Sequence, residues 1–223
     1  MATIGDCIQK MIDAEMKNPS TYHAYWIQKY TDALASFNKD GRMPPGMCTD
    51  FGCKRCQCGT CGCFAGFDKV AMADGYVKAV CDIVKGDIVE GGAAVATKVV
   101  IKSDCPITMV MLPHDGPTLT DYHPVFVDNG WVFPIDVVGG TTELAHEVYN
   151  FVLTTDHILK VNGHDCITLG HGITDDPVLA HPYYGTQKVI DDLKTRADYE
   201  SGMVVYNNPT ILRDSYGFVC GMC

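Results

Sequence analysis

The sequence changes its hydrophobic period at Cys63, and this change constrains the fold more than any other feature. Downstream of Cys63, short apolar runs alternate with polar residues and end at turn signals such as Ala73-Asp74-Gly75 and Asp128-Asn129-Gly130. A period of two with turn signals at this density is typical of short antiparallel strands. The pattern therefore predicts a mainly β domain that begins at Cys63.

The strands expected from this pattern are short. They are 67–72, 76–80, 96–101, 107–112, 125–127, 131–134, 148–153, 158–161 and 166–169. The segment 83–89 is interpreted as a second hairpin-like unit. One helix is predicted over 187–196, and the residues after 200 read as a polar tail. We therefore divide the chain into an N-terminal flank (1–62), the β domain (63–200) and a C-terminal tail (201–223).

The N-terminal flank has helical rather than strand periodicity. Apolar residues recur at helical spacing over 4–12, and Asn18-Pro19 ends this segment because the residue before proline avoids the helical region. A second helix is predicted from a cap at Ser20 or Thr21 to Phe37. These segments predict a small helical hairpin upstream of the β domain.

Composition narrows the classes of partner. Hydrophobic residues make up 47% of the chain, enough for a packed core, and the net charge of -10 argues against a nucleic-acid partner. No apolar run is long enough to span a membrane. The N-terminus lacks the pattern of a secretory signal, which favours a cytoplasmic location.

Six cysteines crowd the stretch that precedes the β domain: Cys48, Cys53, Cys56, Cys58, Cys61 and Cys63. Cys53/Cys56 and Cys58/Cys61 form two Cys-x-x-Cys pairs that could hold zinc, although zinc sites usually separate such pairs by a longer loop. Disulfides and thiols are the other interpretations. We assign no metal or cofactor to the chain.

Several motifs downstream of Cys61 resemble one family in their order and spacing. They are Gly62-Cys63-Phe64, Gly86-Asp87-Ile88-Val89, Thr120-Asp121-Tyr122-His123-Pro124, Val148-Tyr149-Asn150, Asn162-Gly163, Thr168-Leu169-Gly170-His171-Gly172 and His181-Pro182-Tyr183-Tyr184-Gly185-Thr186. This set resembles the Hint family, the self-processing domain of hedgehog proteins and inteins, and within it the Vint subgroup found with von Willebrand A domains. The resemblance covers about residues 62 to 200. It implies a twisted all-β horseshoe with pseudo-twofold halves.

The junction Gly62-Cys63 has what self-cleavage requires. The nitrogen of Cys63 is the leaving group of the amide that its own sulfur can attack, which converts the amide to a thioester. Gly62 adds no steric bulk and tolerates a strained backbone. The N-terminal flank is then the substrate of the domain that follows it.

Further catalytic candidates follow from this chemistry and from the resemblance. His123 is the candidate general acid for the leaving nitrogen, because imidazole ordinarily titrates near neutrality, and Thr120 can hydrogen-bond the same amide. The resemblance implies that Asp104 activates the second nucleophile and that Cys166 assists. His157 and His171 are candidates for orienting groups or carrying protons.

The sequence favours cleavage without splicing, because no His-Asn pair closes the domain. Water, a small thiol or an amine is the expected acceptor, and sterol transfer is disfavoured by the short polar tail. Two alternatives stay open. One is a catalytically silent domain of the same fold that binds metal or a protein through Cys48–Cys61. The other is a redox-gated enzyme in which Cys63 pairs with Cys58 or Cys166.

Overall fold

The computed structural model describes residues 62–137, 139–176, 178–213 and 219–223. In the N-terminal flank it describes only Gln9, Ile12, Asp13, Met16, Lys17, Ile27, Gln28, Thr31, Asp32, Leu34 and Ala35. All of these are helical, as expected of both flank segments. No described helix is long and apolar enough to cross a membrane.

The β domain consists of short strands and one helix, which confirms the prediction of a mainly β fold. The strands are β1 (Lys69–Ala71), β2 (Val77–Ala79), β3 (Val95–Met111), β4 (Thr118–Thr120), β5 (Val125–Val127), β6 (Gly130–Val132), β7 (Thr141–Leu153), β8 (Ile158–Val161), β9 (His164–Ile167), β10 (Met203–Asn207), β11 (Ile211–Arg213) and β12 (Val219–Met222). The helix spans Gln187–Lys194, close to the predicted 187–196.

Two strands are much longer than predicted. β3 joins the segments expected at 96–101 and 107–112, and it pairs with β7 from Val95↔Leu153 to Met111↔Thr141. The residues between the two segments look like a turn in the sequence. In the structure the pairing is irregular between Lys102 and Ile107, and a proline such as Pro106 is tolerated where a ladder hydrogen bond is absent.

The strands form two main sheets. Strands β2, β1, β8, β9, β5 and β6 follow one another in a six-stranded sheet, while β10, β3 and β4 form a second sheet to which β7 adds through β3. β10 runs parallel to β3 and comes from the segment that we assigned to the tail. Its buried Val204 and Tyr206 alternate with more exposed neighbours. This is the alternation typical of a strand, although the segment was predicted to be a polar tail.

Two hydrophobic cores meet at the predicted cleavage junction. Phe64 belongs to the core that includes Phe151 and Leu159, whereas Cys63 belongs to the core that includes Val99 and Leu193. Neighbouring residues of an extended chain point to opposite faces. The junction therefore passes between the two cores, where water is largely excluded.

Asp68 connects the junction region to two other parts of the fold. It is 2% exposed, and it accepts hydrogen bonds from the Thr118 N–H at 2.6 Å and from Asn162 Nδ2 at 3.1 Å. Asn162 in turn accepts from the Lys69 N–H at 2.7 Å. Burial raises the pKa of Asp68 to about 6, although both hydrogen bonds act to lower it. This carboxyl ties the start of β4 to the β8–β9 turn.

The raised pKa of Asp68 predicts a pH-dependent stability. Its carboxyl is protonated in both states below pH 3.8 and ionised in both above about pH 6, so the contribution of Asp68 to stability is lost as the pH rises between these values. The shift from 3.8 to about 6 corresponds to a loss of about 3 kcal/mol.

Urea unfolding from about pH 3.5 to about pH 7, in a Cys63→Ala chain that cannot attack its own peptide bond, measures this loss. The Asp68→Asn variant should not show it, because the amide cannot ionise. Parallel stability curves for the two chains would contradict the prediction.

Candidate active site

Residues 62–65 lie as an extended segment between β4 and β7. Phe64 exchanges hydrogen bonds with Tyr149 of β7, with N–O distances of 2.8 and 3.0 Å. On the other side, the Ala65 N–H donates to Thr118 O at 2.9 Å and the Thr120 N–H donates to Cys63 O at 3.0 Å. Hydrogen bonds to both neighbouring strands therefore fix the position of the segment that follows Gly62.

Cys63 is fully buried, whereas Gly62 is only partly buried. The side chain of Cys63 packs in the core that includes Val99 and Leu193. The acyl side of the junction is the more open side.

Thr120 binds the backbone nitrogen of Cys63. The Cys63 N–H donates to Thr120 Oγ1 at 2.8 Å, and Thr120 is 1% exposed. The His123 N–H donates to Thr120 O at 3.0 Å in a tight turn after β4. This turn brings two side chains that are three residues apart to one peptide bond, as the sequence predicted.

His123 presents one defined nitrogen to the junction. Its Nε2 lies 2.8 Å from Ile167 O, and since a carbonyl oxygen only accepts, Nε2 carries the proton. Nδ1 keeps its lone pair, lies against the backbone of Gly62 and Cys63 and makes no well-directed hydrogen bond within the described residues. The ring also packs edge-on against Phe64, with centroids 4.2 Å apart.

The pKa of His123 differs from the sequence-based expectation of a near-neutral value. Burial lowers the pKa to about 4, although contacts with the backbone of Ile167 and Cys63 act to raise it. His123 is therefore neutral at pH 7, and the expectation is wrong because burial is invisible in a motif. A proton can reside on Nδ1 only transiently.

The close approach of His123 explains the glycine at position 62. A Cβ atom there would lie 3.0 Å from Cα and Cγ of His123 and 3.1 Å from its Nδ1. The Cα atom belongs to the backbone and cannot rotate away. Glycine therefore lets the imidazole lie directly against the backbone at the predicted cleavage junction.

Asn150 is a polar contact of the junction that our sequence analysis missed. Its Nδ2 donates to Gly62 O, and its Oδ1 accepts from the Phe151 N–H at 2.6 Å. Asn150 is 3% exposed within the apolar end of β7. A polar amide inside an apolar run was the available signal. The sequence, however, was interpreted there only as a strand and as part of the family resemblance.

Asp104 lies in the irregular part of β3 and is exposed. Its Oδ2 accepts from Asn208 Nδ2 at 2.8 Å, and its N–H donates to Asn208 Oδ1 at 2.7 Å. Both hydrogen bonds join Asp104 to the residue that follows β10. The role of Asp104 in activating an acceptor stays a prediction.

Cys166 is buried in the core that contains Phe64, on β9. Burial raises the pKa of its thiol well above the usual range, and the charges of Asp68 and Asp165 act in the same direction. The following residue, Ile167, holds His123. The assisting role of Cys166 stays a prediction.

His157 and His171 stabilise the loop after β9. His157 Nδ1 lies 3.0 Å from Leu169 O, and His171 Nδ1 accepts from the Ile173 N–H at 3.1 Å. Burial lowers the pKa of both, that of His171 to about 4, and each lies close enough to influence the other. These hydrogen bonds engage loop backbone and leave an orienting or proton-carrying role a prediction.

The question of metal binding rests on residues that the structure does not describe. Within the described residues, no group of three or more histidine, cysteine or acidic side chains could hold a metal ion. Cys48, Cys53, Cys56, Cys58 and Cys61 lie outside that part of the chain. The zinc, disulfide and thiol interpretations of this cluster therefore stay open.

Solved structures of inteins and of an intein-like domain are similar to about half of this chain. A bacterial intein-like domain from Clostridium thermocellum matches with 19% identity and a TM-score of 0.41, over 49% of this chain and 99% of that domain. A DnaB intein from Synechocystis sp. PCC 6803 matches with 14% identity and a TM-score of 0.37, over 48% and 99%. The gp41-1 intein matches with 14% identity and a TM-score of 0.38, over 49% and 100%.

Sequence comparison supplies the family. No curated protein matches the chain. The family model of Vint, a Hint domain, matches residues 62–221. The matched segment begins at Gly62 and includes β10, β11 and most of β12. Because this match spans more than half of the sequence, the chain belongs to the Vint family of Hint domains.

Proposed function

We propose that this chain is a self-processing domain that cleaves its own Gly62–Cys63 peptide bond through a thioester. The observation that carries the proposal is the hydrogen bond from the Cys63 N–H to Thr120 Oγ1, at 2.8 Å, while Nδ1 of His123 lies against the backbone of Gly62. Two polar side chains from one turn thus meet at the peptide bond that the adjacent thiol can attack. The domain then extends from residue 63 and acts on residues 1–62.

The first step is an N-to-S acyl shift. The electron pair of Cys63 Sγ forms a bond to the Gly62 carbonyl carbon, and the C–N bond breaks. The thiol proton passes to Nδ1 of His123 and then to the departing nitrogen. Because the pKa of the buried imidazole is about 4, its protonated form is a strong acid that releases the proton readily.

Thr120 keeps the leaving nitrogen in place during this step. Its Oγ1 accepts the Cys63 N–H in the resting state and can hold the amine that replaces the amide. Productive geometry of this kind removes part of the entropic cost of reaction. Thr120 thus positions the leaving nitrogen, and His123 transfers the proton to it.

The second step is transfer of the acyl group to water, a thiol or an amine. Partial exposure of Gly62 supports access by a small external acceptor. For this step Asp104 and Cys166 are proposed to assist, and His157 and His171 to orient groups or carry protons. Cleavage without splicing is supported by Asn208, whose side-chain amide is bonded to Asp104 and which is followed by Pro209.

Incubation of the folded chain with dithiothreitol or hydroxylamine tests this function. Mass spectrometry should find two fragments, residues 1–62 and 63–223, and hydroxylamine should leave a hydroxamate on Gly62. Chain unfolded in urea serves as the control and should stay intact, because the geometry is lost. A folded chain that stays intact after prolonged incubation with either nucleophile would contradict the proposal.

A further inference from the structure

We propose that Asn150 is a catalytic residue whose side-chain amide stabilises the negative charge that develops on the Gly62 oxygen. This inference rests on the proposed function. It assigns a role at the carbonyl end of the same bond whose nitrogen end is held by Thr120 and His123. The donor is Nδ2, which already binds Gly62 O in the resting chain.

The orientation of the Asn150 amide is fixed by a second hydrogen bond. Its Oδ1 accepts from the Phe151 N–H at 2.6 Å, so Nδ2 is the atom that faces Gly62. A flipped amide would place two acceptors, Oδ1 and Gly62 O, against each other and would turn Nδ2 towards the Phe151 N–H. The donor is therefore directed at the carbonyl before the reaction begins.

The backbone fixes the distance between Asn150 and Gly62. Phe64 and Tyr149 exchange two hydrogen bonds, and Asn150 is paired with Val99 of β3 on its other side. These contacts hold β7 between β3 and the junction segment. A donor mounted on a strand that is paired on both edges needs little reorganisation when charge develops.

The burial of Asn150 indicates that its side chain has a function beyond packing. The last six residues of β7, Val148–Leu153, are all buried, and Asn150 is the polar one among them. Burying an amide costs free energy unless both of its ends are hydrogen-bonded. Here one end binds the next backbone N–H and the other binds the atom that changes charge in the reaction.

The electron flow shows when this hydrogen bond becomes stronger. Attack by Cys63 Sγ moves the π electron pair of the Gly62 carbonyl onto its oxygen, which becomes an oxyanion. The pair then returns, the C–N bond breaks, and the nitrogen leaves with the proton from His123. A hydrogen bond to an ionised oxygen is about twice as strong as one to a neutral oxygen, so Asn150 stabilises the transition state more than the resting state.

Single-turnover cleavage with saturating dithiothreitol tests the role of Asn150. The Asn150→Ala variant should cleave at roughly 10²- to 10³-fold lower rate, the effect of removing one oxyanion donor. The Asn150→Asp variant keeps the shape but replaces the donor with a negative charge, so it should be at least as slow. Near-ultraviolet circular dichroism reports whether the variants are folded.

Thr97→Val is the matched control. Thr97 is a fully buried polar residue on β3, paired with Val152 of β7, and its hydroxyl makes no hydrogen bond within the described residues. This substitution removes a buried polar atom near the same strand but leaves the junction untouched. Its cleavage rate should equal that of the unaltered chain.

Nuclear magnetic resonance gives a readout that does not require cleavage. In a Cys63→Ala chain labelled with carbonyl-¹³C glycine and ¹⁵N alanine, only the bonds after Gly62 and Gly92 join the two labels. Adding Asn150→Ala should shift the Gly62 carbonyl resonance upfield, as loss of a hydrogen bond does, and leave Gly92 in place. An unmoved Gly62 resonance would overturn the assignment of the donor.

The cleavage results separate the two proposals. If the unaltered chain cleaves and folded Asn150→Ala cleaves equally fast, the role of Asn150 is refuted while self-processing stands. If the unaltered chain never cleaves, the proposed function fails and the catalytic role fails with it. A slow Asn150→Ala chain beside an unaffected Thr97→Val chain supports the inference.

Discussion

Replacing Cys63 with alanine is expected to abolish cleavage completely, with the chain remaining whole in the presence of dithiothreitol and hydroxylamine. Alanine has no nucleophilic atom. The residue at position 63 is also the one whose backbone nitrogen belongs to the Gly62–Cys63 bond, so its side chain is the one placed to exchange the amide for an ester or thioester. This loss is the largest effect that we expect from any single substitution.

Two further variants show that the loss reflects chemistry. Cys63→Ser should retain slow cleavage, because a hydroxyl can perform the same shift but is a weaker nucleophile. Cys220→Ala removes an exposed thiol from β12 and should cleave like the unaltered chain. Cleavage at the same bond and rate in folded Cys63→Ala would refute the proposed mechanism.

The sequence was sufficient to predict the strands that turns delimit. The hairpins around Asp74-Gly75 and Asn162-Gly163 form as expected, because turn residues and a period of two act locally. Long-range pairing was harder to predict. β10 joins the sheet by parallel pairing to β3, across about a hundred residues of sequence, and no local signal marks such a partner.

The candidate site could be predicted only where a local turn brings residues that are close in sequence to the same place. Thr120 and His123 meet at Cys63 because a three-residue turn brings them together. The lowered pKa of His123 could not be predicted, since it depends on burial by elements distant in sequence. Asn150 was missed because its role depends on the pairing of β7 with Phe64.

Asp104 illustrates the limits of transferring a role by resemblance. The residue matches a family position, yet in this structure it binds Asn208 on the exposed, irregular part of β3. Its hydrogen bonds tie β3 to the end of β10, which is a sufficient structural reason for an aspartate there. A contribution to acceptor activation therefore needs its own measurement.

Replacing His123 with alanine is expected to slow cleavage by roughly 10²- to 10⁴-fold, the usual contribution of a positioned acid–base group. The leaving nitrogen would then lack a proton source, and Phe64 would lose its edge contact with the imidazole ring. Some residual rate is expected because Thr120 and Asn150 still hold the two ends of the bond. A folded His123→Ala chain that cleaves within about tenfold of the unaltered rate would contradict the role assigned to its imidazole.

The pH dependence separates this role from that of an ordinary histidine. Because the pKa of His123 is lowered from 6.5 to about 4, Nδ1 keeps its lone pair through neutral pH and becomes protonated only near pH 4. The cleavage rate of the unaltered chain should therefore show no step near pH 6.5 that is caused by protonation of His123. Any step near pH 6.5 should also be present in His123→Ala. In a Cys63→Ala chain, the imidazole resonances of His123 should titrate only below about pH 5, whereas an ordinary histidine titrates near 6.5.

The same lowered pKa also affects stability, with the opposite pH dependence to Asp68. The contribution of His123 is complete above pH 6.5 and is lost as the pH falls towards about 4, because the unfolded chain then binds the proton more tightly. Kinetic measurements between about pH 5.5 and about pH 8 stay clear of most of this loss. A slow His123→Ala chain in that range therefore reports on proton transfer rather than on unfolding at low pH.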